Sequence, residues 1–495
     1  MSTGLARLNR PIVAIIAVGL IAGFIRFVSL DFPQRRIFDE YYYPKSACIF
    51  LGYSNERCDI NSGPERIWRE TENDTGAWVH PPLGKWAIAL GELGFGTDSF
   101  GWRVSSAVAG TATVVLLAVI VQLLFASAIW TFAGGLLLAV ENLHVVQSRT
   151  AMLDVFVTLW IVLGFVFVLL DRRWIGRRSV QDHSSSPEGS GESEPADADP
   201  FATESGALQA PPRVPAPLWR PWRFAAGAAL GAGIATKWSA LAAILTAIVI
   251  TFVWEVVRRR RQAMAKPVAH AFAAEGFGTV LAFVVTPLLV YAVSYAGWFA
   301  HFGFDLGRWF DLQSNILSYH WSLDAVDPSG EPVHPYLSPA WQWLLLRRPV
   351  LYYADYSMEG MRAVIYANGN PAIFWGSLVA IPYTAYAWWR DRDWRAGFVV
   401  MAIAGLYLPW FLVSRPQFVF YATPLSPFLV LACLYTIRAL SHAHVAGSRS
   451  RPYLPVAVGF VAAAVILFAW FWPTLTGAPL TDAAWKLRYW LPTWF

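Results

Sequence analysis

The chain has 495 residues, of which 56% are hydrophobic and only 14% are charged, and its mean hydropathy is +0.42. Soluble domains carry about 25% charged residues, so this composition excludes an ordinary soluble fold and predicts an integral membrane protein. The net charge of +5 does not indicate nucleic-acid binding, because Lys and Arg occur in clumps between apolar runs and form no basic face.

Apolar runs long enough to cross a bilayer recur along the whole chain, since a crossing needs about 20 residues. The predicted transmembrane helices lie near residues 11–30, 104–125, 128–144, 152–170, 222–236, 238–257, 277–296, 371–389, 396–413, 418–440 and 453–472. They predict an all-α integral membrane protein with about 11 transmembrane helices. The first run is long and lacks a small-residue cleavage pattern, so we expect it to be retained.

Positive residues between the runs predict the orientation. The clumps lie near Arg10, Arg172, Arg258, Arg390 and Arg438. All of them fall on one side only if residues 222–257 cross twice, although this segment could also form one long broken helix. Basic loops face the cytoplasm, so the N-terminus is expected to be cytoplasmic and the C-terminus extracytoplasmic.

The remaining polar segments divide the chain. Residues 1–175 are predicted to form a catalytic membrane module with an outer loop at 31–103, and residues 221–495 a second module with an outer loop at 297–370. Residues 176–220 are predicted to be a cytoplasmic linker, disordered from Gln181 to Pro217 because few bulky apolar residues occur there. Within the second loop, Phe304 to Trp321 predicts either a helix on the membrane surface or a packed loop helix.

Cysteine and histidine positions place limits on cross-links and metals. Cys48 and Cys58 share one polar stretch, so they form either a disulfide or two free thiols, whereas Cys433 lies inside an apolar run. The outer-side histidines lack close ligand spacing, so no metal site is predicted.

Four polar clusters border the predicted outer face of the membrane. They are Asp39-Glu40 followed by tyrosines, His80-Pro-Pro-Leu-Gly-Lys85, the set Glu141-Asn142 with Gln147-Ser148-Arg149 and Asp154, and Thr236-Lys237-Trp238. Each cluster alone is also typical of solvated helix ends or interface anchors. Their convergence on one face favours a functional site, because charged residues at membrane depth are costly.

These clusters, in this order, resemble the protein O-mannosyltransferases, membrane enzymes with the GT-C glycosyltransferase fold. The resemblance extends to Tyr319-His320, His334-Pro-Tyr336, Trp341-Gln-Trp343, Arg347-Arg-Pro-Val350 and Pro409-Trp410 with Arg415. It implies a polyprenyl-phosphate-mannose donor, a Ser or Thr acceptor on exported proteins, and inversion at the anomeric carbon. No cofactor is expected, since the lipid-linked sugar is itself the donor.

The resemblance also implies roles for individual residues. Asp39 is expected to act as the base, with Glu40 orienting the acceptor or the base. Lipid phosphate is expected to bind Lys85, Arg149, Lys237 and Arg415, with Asp154 orienting an Arg or the sugar. Support of the acceptor or of the loops is expected from His80, Tyr42, Glu141 and His320.

Loop 297–370 is too short for the β-trefoil module of the eukaryotic members, which favours an enzyme of a bacterial plasma membrane. The expected partners are the donor, flexible Ser/Thr-rich segments of exported proteins, membrane lipids and the export machinery. Two alternatives stay open: a GT-C transferase that moves another lipid-linked sugar onto a lipid or polysaccharide, and a transporter. A transporter should show charges in the middle of its spans, whereas nearly all acids here lie at outer ends.

Overall fold

The structure is a computed structural model that describes residues 2–59, 77–184, 220–442 and 453–494. Its N-terminal part contains α1 (Ser2–Phe27), α2 (Tyr43–Phe50), α3 (Leu83–Phe95), α4 (Ser99–Phe125), α5 (Ala128–Ala139), α6 (Asn142–Ser148) and α7 (Leu153–Ser184). Next come α8 (Pro221–Ile234), α9 (Leu241–Arg261), α10 (Pro267–Val280), α11 (Thr286–Ser294), α12 (Ala296–Phe302) and α13 (Leu306–Trp321). The C-terminal part contains α14 (Pro371–Asp391), α15 (Trp394–Tyr407), α16 (Ser426–His442), α17 (Leu454–Thr476) and α18 (Asp482–Lys486).

Every predicted apolar run is helical in the structure. Within the described ranges, eight helices are long and apolar enough to cross a membrane, or nine if α5 and α6, bent by 65° at their break, form one span. Helix α8 has only 14 residues, and α14 is rich in Trp, Tyr and Pro, which lower its hydropathy. The multi-pass character is therefore confirmed, and the count of 11 crossings stays a prediction.

Helices α8 and α9 traverse the bundle in opposite directions. Arg220, just before α8, donates to Glu255 near the end of α9 at 2.9 Å. Lys237, between the two helices, pairs with Asp154 at the start of α7 at 2.9 Å. The break at 235–240 thus lies at the opposite end from Arg220, so residues 222–257 cross the bundle twice, as the charge distribution predicted.

Four of the five positive clumps, those near Arg172, Arg258, Arg390 and Arg438, meet at one end of the bundle. Arg172 lies over the ring of Trp394 at 4.0 Å. Arg395 donates to the carbonyl of Leu124 at 2.7 Å, and Arg438 lies over Phe125 at the end of the same helix, at 4.8 Å. This arginine-rich end and the Asp154–Lys237 end are separated by most of the length of α7, about 27 Å at 1.5 Å per residue.

A buried ionic network joins four helices at the arginine-rich end. Arg220 pairs with Asp171 of α7, with Glu255 of α9 at 2.9 Å and with Glu275 of α10 at 2.8 Å. Arg223 of α8 also donates to Glu275, at 2.8 Å. Buried charges are tolerated only when they are paired, so this network fixes how the four helices meet.

The predicted linker is only partly described. Helix α7 continues to Ser184, so the first nine residues assigned to the linker are helical, and its remainder lies outside the described residues. Residues of both predicted modules contribute to a single buried apolar cluster, in which Leu230 of α8 fits against Gly164 of α7. The two modules therefore pack as one body.

The second outer loop supplies two strands of a small sheet that the apolar runs did not predict, and the third strand follows α17. Strands β1 (Val350–Asp355), β2 (Met361–Ala367) and β3 (Leu480–Thr481) are antiparallel in the order β1-β2-β3, with Val350 opposite Ala367. The predicted helix at Phe304 to Trp321 is confirmed as α13. It buries Leu312 and Ile316 and exposes Phe310 and Trp321. In the first outer loop, Cys48 and Cys58 form the disulfide that was one of the two alternatives.

Close packing between α8 and the segment joining α10 to α11 depends on two glycines. This segment makes a π turn at Leu281–Val285, and a Cβ on Gly227 would lie 1.7 Å from the carbonyl oxygen of Ala282. A Cβ on Gly231, one turn further, would lie 2.7 Å from the Cα of Pro287. Such small-residue faces let helix backbones approach each other in membranes.

We predict that Gly227→Ala destabilises the protein by about 1–3 kcal/mol, because overpacking outweighs the helix propensity gained. Gly276→Ala in α10 is the matched control, since a Cβ there meets nothing within 4 Å. Thermal unfolding in detergent should show a lower Tm for Gly227→Ala and an unchanged or raised Tm for Gly276→Ala. Equal Tm values for the two variants would contradict the close approach.

Candidate active site

A strained turn presents Asp39 after the first helix. Asp39 belongs to a short 3-10 helix, Phe38–Tyr41, and Phe38 adopts a φ of +47°. The left-handed region is unfavourable for a bulky residue, and such strain persists only where neighbours fix the conformation. Here the ring of Phe38 stacks on Tyr352 of β1 with centroids 4.3 Å apart. The direction of Asp39 is thereby set by packing against the sheet.

Glu40 and Arg103 form a buried ion pair behind Asp39. Both side chains are fully buried, and Arg103 donates from Nε and Nη2 to the two Glu40 oxygens, each at 2.8 Å. Glu40 also accepts from the backbone N–H groups of Ile37 at 3.1 Å and Ala151 at 2.9 Å. Of its two predicted roles, this geometry suits orientation of the base, because Glu40 holds the backbone that carries Asp39.

Arg149 supports the end of α1, the helix that precedes this turn. Its Nη1 donates to the carbonyls of Ile25, Arg26 and Val28 at 3.1, 3.0 and 2.7 Å, and its Nη2 donates to Ser29 at 2.9 Å. These are the orphan carbonyls at the end of α1, which a guanidinium can satisfy. The structure thus gives Arg149 a capping role, while its predicted phosphate contact stays a prediction that this geometry does not favour.

Asp39 lies beside a second carboxylate and a lysine. Lys237 donates to both oxygens of Asp154, at 2.9 and 3.0 Å, and its ammonium lies 4.5 Å from the centre of the Tyr421 ring. Both Asp154 and Lys237 are within electrostatic reach of Asp39, and the hydroxyl of Tyr43 donates a hydrogen bond to it. The predicted clusters at Asp39, Asp154 and Lys237 therefore form one site.

Burial makes Asp39 a stronger base than an ordinary aspartate. Loss of water raises the pKa of the Asp39 carboxyl from 3.8 to about 6, and the nearby Asp154 acts in the same direction. The Lys237 ammonium and the Tyr43 hydroxyl hold this pKa down. Asp39 is consequently mostly ionised at pH 7 and close to the range in which a base transfers protons efficiently.

His80, His320 and Arg415 form the adjoining wall of the site. The His80 and His320 rings stack 5.3 Å apart. His320 contacts the Val79 carbonyl through Nε2 at 2.9 Å, so Nε2 carries the proton, and Nδ1 accepts from Nη1 of Arg415 at 3.1 Å. Burial and the Arg415 charge lower the pKa of His320 to about 4, and burial lowers the pKa of His80 as well. Both rings are thus neutral at pH 7.

The remaining predicted residues make contacts of other kinds. Lys85 is buried and donates to the His80 carbonyl at 2.7 Å, and burial lowers its pKa to about 7. Glu141 caps α6, accepting from Leu143 and His144 at 3.1 and 2.7 Å. It also accepts from the N–H of Asn370 at 2.9 Å, which is a loop-supporting contact. Tyr42 ends the 3-10 helix with an exposed ring.

Metal ligands do not cluster in the described parts of the chain. No group of three or more His, Cys, Asp or Glu side chains within them could hold a metal ion. The site offers carboxylates, cations and neutral imidazoles, which suit acid–base chemistry on an anionic substrate. Chemistry without a metal or cofactor stays a prediction.

Comparisons with known proteins decide the family. A family described as "Dolichyl-phosphate-mannose-protein mannosyltransferase" matches residues 16–173, and "C-terminal four TMM region of protein-O-mannosyltransferase" matches residues 306–494. A polyprenol-phosphate-mannose–protein mannosyltransferase of Mycolicibacterium smegmatis is 31% identical over 513 residues, covering 96% of this chain and 91% of that relative. The chain belongs to the protein O-mannosyltransferase family. It is accordingly a glycosyltransferase.

Solved structures confirm the predicted fold class. The S. cerevisiae protein O-mannosyltransferase Pmt1–Pmt2 complex bound to the sugar donor matches 98% of this chain and 92% of that chain. Its TM-score is 0.70 at 14% identity. ArnT from Cupriavidus metallidurans bound to undecaprenyl phosphate matches 93% of this chain and 70% of that chain, with a TM-score of 0.51 at 17% identity. The chain therefore has the GT-C fold.

Several residues at the site of this mannosyltransferase family member were not singled out from the sequence. Arg103 sits at the start of an apolar run, where a single Arg is normally taken as an interface anchor. Tyr43 follows the recognised tyrosines, and Tyr352 and Tyr421 lie among many aromatic residues. The signal that could have indicated Arg103 is that a buried Glu40 carboxylate needs a cationic partner. The sequence does not show that Glu40 is buried, so this signal is visible only in the structure.

We predict opposite effects on stability for the two neighbouring acids. Glu40→Gln leaves the Arg103 charge buried without compensation, so it should cost about 3–5 kcal/mol, seen as a large drop in Tm. Asp39→Asn removes a carboxylate that burial disfavours, so its Tm should be unchanged or raised at pH 7. A Tm loss of equal size in both variants would contradict the division between Glu40, which holds the turn in place, and Asp39, which does not.

Proposed function

We propose that this chain transfers mannose from polyprenyl-phosphate-mannose to Ser or Thr hydroxyls of exported proteins. The family of the chain and the name of its Mycolicibacterium smegmatis relative support this proposal. The observation that carries it is the position of Asp39, whose half-buried carboxyl lies next to the Asp154–Lys237 pair. A base beside cations is what transfer from a lipid phosphate to a hydroxyl requires.

The proposed reaction is a single displacement at the anomeric carbon. The acceptor oxygen forms a bond to this carbon while the bond from the carbon to the phosphate oxygen breaks, and its electron pair stays on the phosphate. The hydroxyl proton passes to Asp39 as the new bond forms. Attack from the face opposite the phosphate inverts the configuration. The products are the mannosylated protein and polyprenyl phosphate.

Arg415 and Lys237 are the proposed phosphate ligands. Both lie over the ring of Tyr421, at 5.9 and 4.5 Å, so their charges meet on one side of the site. Arg415 uses one donor on His320, and its buried Nε–H has no hydrogen-bond partner within the described residues. A buried unsatisfied N–H is costly, and an incoming phosphate oxygen would satisfy it. Lys85 is a weaker candidate, because it already donates to His80.

His80 and His320 are neutral, so they can line a site for an anion without adding to its positive charge. Asp39 and Asp154 carry two negative charges, and Lys237 and Arg415 carry two positive ones, so the charges of these four side chains balance. His320 orients Arg415 through its Nδ1, and His80 packs on His320. Their role in this proposal is to hold the phosphate-binding guanidinium in place.

The orientation proposed for the membrane follows from the arginine-rich end. Basic loops remain in the cytoplasm, so the Asp39 site faces the opposite side, which in a bacterial plasma membrane is extracytoplasmic. Exported proteins pass this face as flexible chains before they fold. We therefore include Ser/Thr-rich segments and the export machinery among the proposed partners.

The base is tested by Asp39→Asn in a transfer assay. Purified enzyme receives labelled polyprenyl-phosphate-mannose and a Thr/Ala/Pro-rich peptide, and the variant should be slower by a factor of about 10²–10⁴, the usual contribution of a general base. Asp324→Asn, an exposed aspartate in the second outer loop, is the matched control and should retain full activity. Equal rates for Asp39→Asn and wild type would remove Asp39 as the base. Labelling from another sugar lipid alone would instead favour the rival transferase.

The pH profile provides an independent test. Because burial raises the pKa of Asp39 to about 6, the base is protonated and inactive below that pH, so kcat/KM should fall tenfold per pH unit there and level off above it. Lys237→Gln removes a charge that lowers this pKa, so the midpoint should move to higher pH. A midpoint near 4 in wild type, or no upward movement in the variant, would contradict the assignment.

A further inference from the structure

A basic and aromatic groove opens at the arginine-rich end of the bundle, far from the Asp39 site. Its volume is about 630 Å³, and it lies between α7, α9 and the turn joining α14 to α15. The cations that line it are Arg172, Arg258, Arg260, Arg261 and Arg392. No carboxylate lines it among the described residues. This concentration of like charge in one concave surface is unfavourable unless an anion balances it.

The arginines of this groove differ in the contacts that their guanidinium groups make within the protein. Arg258 donates to Glu255 at 2.7 Å, and Arg172 lies over the rings of Trp394 and Trp254 at 4.0 and 4.9 Å. Arg260 and Arg392 are exposed and make no ion pair within the described ranges. Two guanidinium groups are thus available to a ligand in a cavity that the other arginines already make positive.

Four tryptophans give the same groove an apolar wall. Trp254, Trp388, Trp389 and Trp394 line it, and Trp388 packs against α15 where Gly397 leaves room, since a Cβ there would lie 2.6 Å from its Nε1. The Trp389 ring is 67% exposed. Tryptophan favours the headgroup level of a membrane, where one part of a ligand is charged and the other apolar.

We propose that this groove binds the headgroup of an anionic phospholipid in the leaflet opposite the Asp39 site. The phosphodiester would contact Arg260 and Arg392, and the acyl chains would lie along the tryptophans and the apolar side of α9. Basic pockets between transmembrane helices commonly bind such headgroups. The groove is distinct from the proposed donor site, because α7 separates the two by about 27 Å.

The position of the groove, at the end of an apolar helix flank, favours a lipid over a free phosphate as its ligand. Helix α9 has 21 residues and exposes Leu245, Val249 and Val257 along its length, so its apolar flank leads from the hydrocarbon region into the basic groove. A soluble anion would use the arginines alone, whereas a phospholipid uses both the arginines and this flank.

The test counts lipids bound to the purified full chain by native mass spectrometry, from mixed micelles with equal phosphatidylglycerol and phosphatidylcholine. Wild type should retain phosphatidylglycerol preferentially. The double variant Arg260→Gln/Arg392→Gln should reduce that preference by about tenfold or more, because two arginines near an anionic surface together usually contribute to lipid binding by such an amount. The matched control changes Arg10 and Arg390 to Gln. Both are exposed and outside the groove, and the preference should be retained.

Two results would overturn the proposal. Equal loss of preference in both double variants would show general attraction between a basic surface and anionic lipid. Displacement of phosphatidylglycerol by millimolar glycerol phosphate would show a site for soluble phosphate. The readout is bound lipid and not sugar transfer, so its outcome is independent of the proposed function.

Discussion

The buried pair of Glu40 and Arg103 is the interaction on which the site depends. Placing two charges out of water is costly, and the cost is offset only when every donor and acceptor is used. Arg103 meets this condition by donating to Glu40 and to the carbonyls of Leu30, Pro33 and Arg35. Because Glu40 also binds the N–H of Ala151, one ion pair links the turn that carries Asp39 to the segment that leads into Asp154.

The chain separates its charges between the two ends of a helical bundle. Helix α7 carries Asp154 in its first turn and Asp171 where it passes the arginine-rich end of the bundle, and α8 is likewise flanked by Lys237 and Arg220. At the arginine-rich end Arg220 pairs with three carboxylates in a network that fixes helix packing. At the other end the charges surround a site in which Arg415 keeps an unused donor. That donor is the one that the proposed function gives to the phosphate.

Sequence patterns located the site and missed what holds it together. Asp39, His80, Asp154 and Lys237 could be predicted because charges beside apolar runs are unusual and these four lie in recognisable clusters. Arg103 could not, since its partner is 63 positions away and burial of Glu40 is a tertiary property. The family resemblance implies a phosphate contact for Arg149, whereas its hydrogen bonds to the end of α1 depend on the chain path, which the motif does not show. The sheet was missed because two of its strands lie in a loop that lacks regular alternation and the third has only two residues.

The position of Asp39 reconciles two requirements that oppose each other. A stronger base needs a less solvated carboxylate, and burial provides this by raising its pKa to about 6. Without compensation, further burial would leave the carboxyl protonated and unable to accept a proton at neutral pH. Lys237 limits the rise, yet its own charge is shared with Asp154 through two hydrogen bonds. Asp154 therefore acts on Asp39 in the direction opposite to Lys237: it pairs with the Lys237 ammonium, and its own negative charge raises the pKa of Asp39.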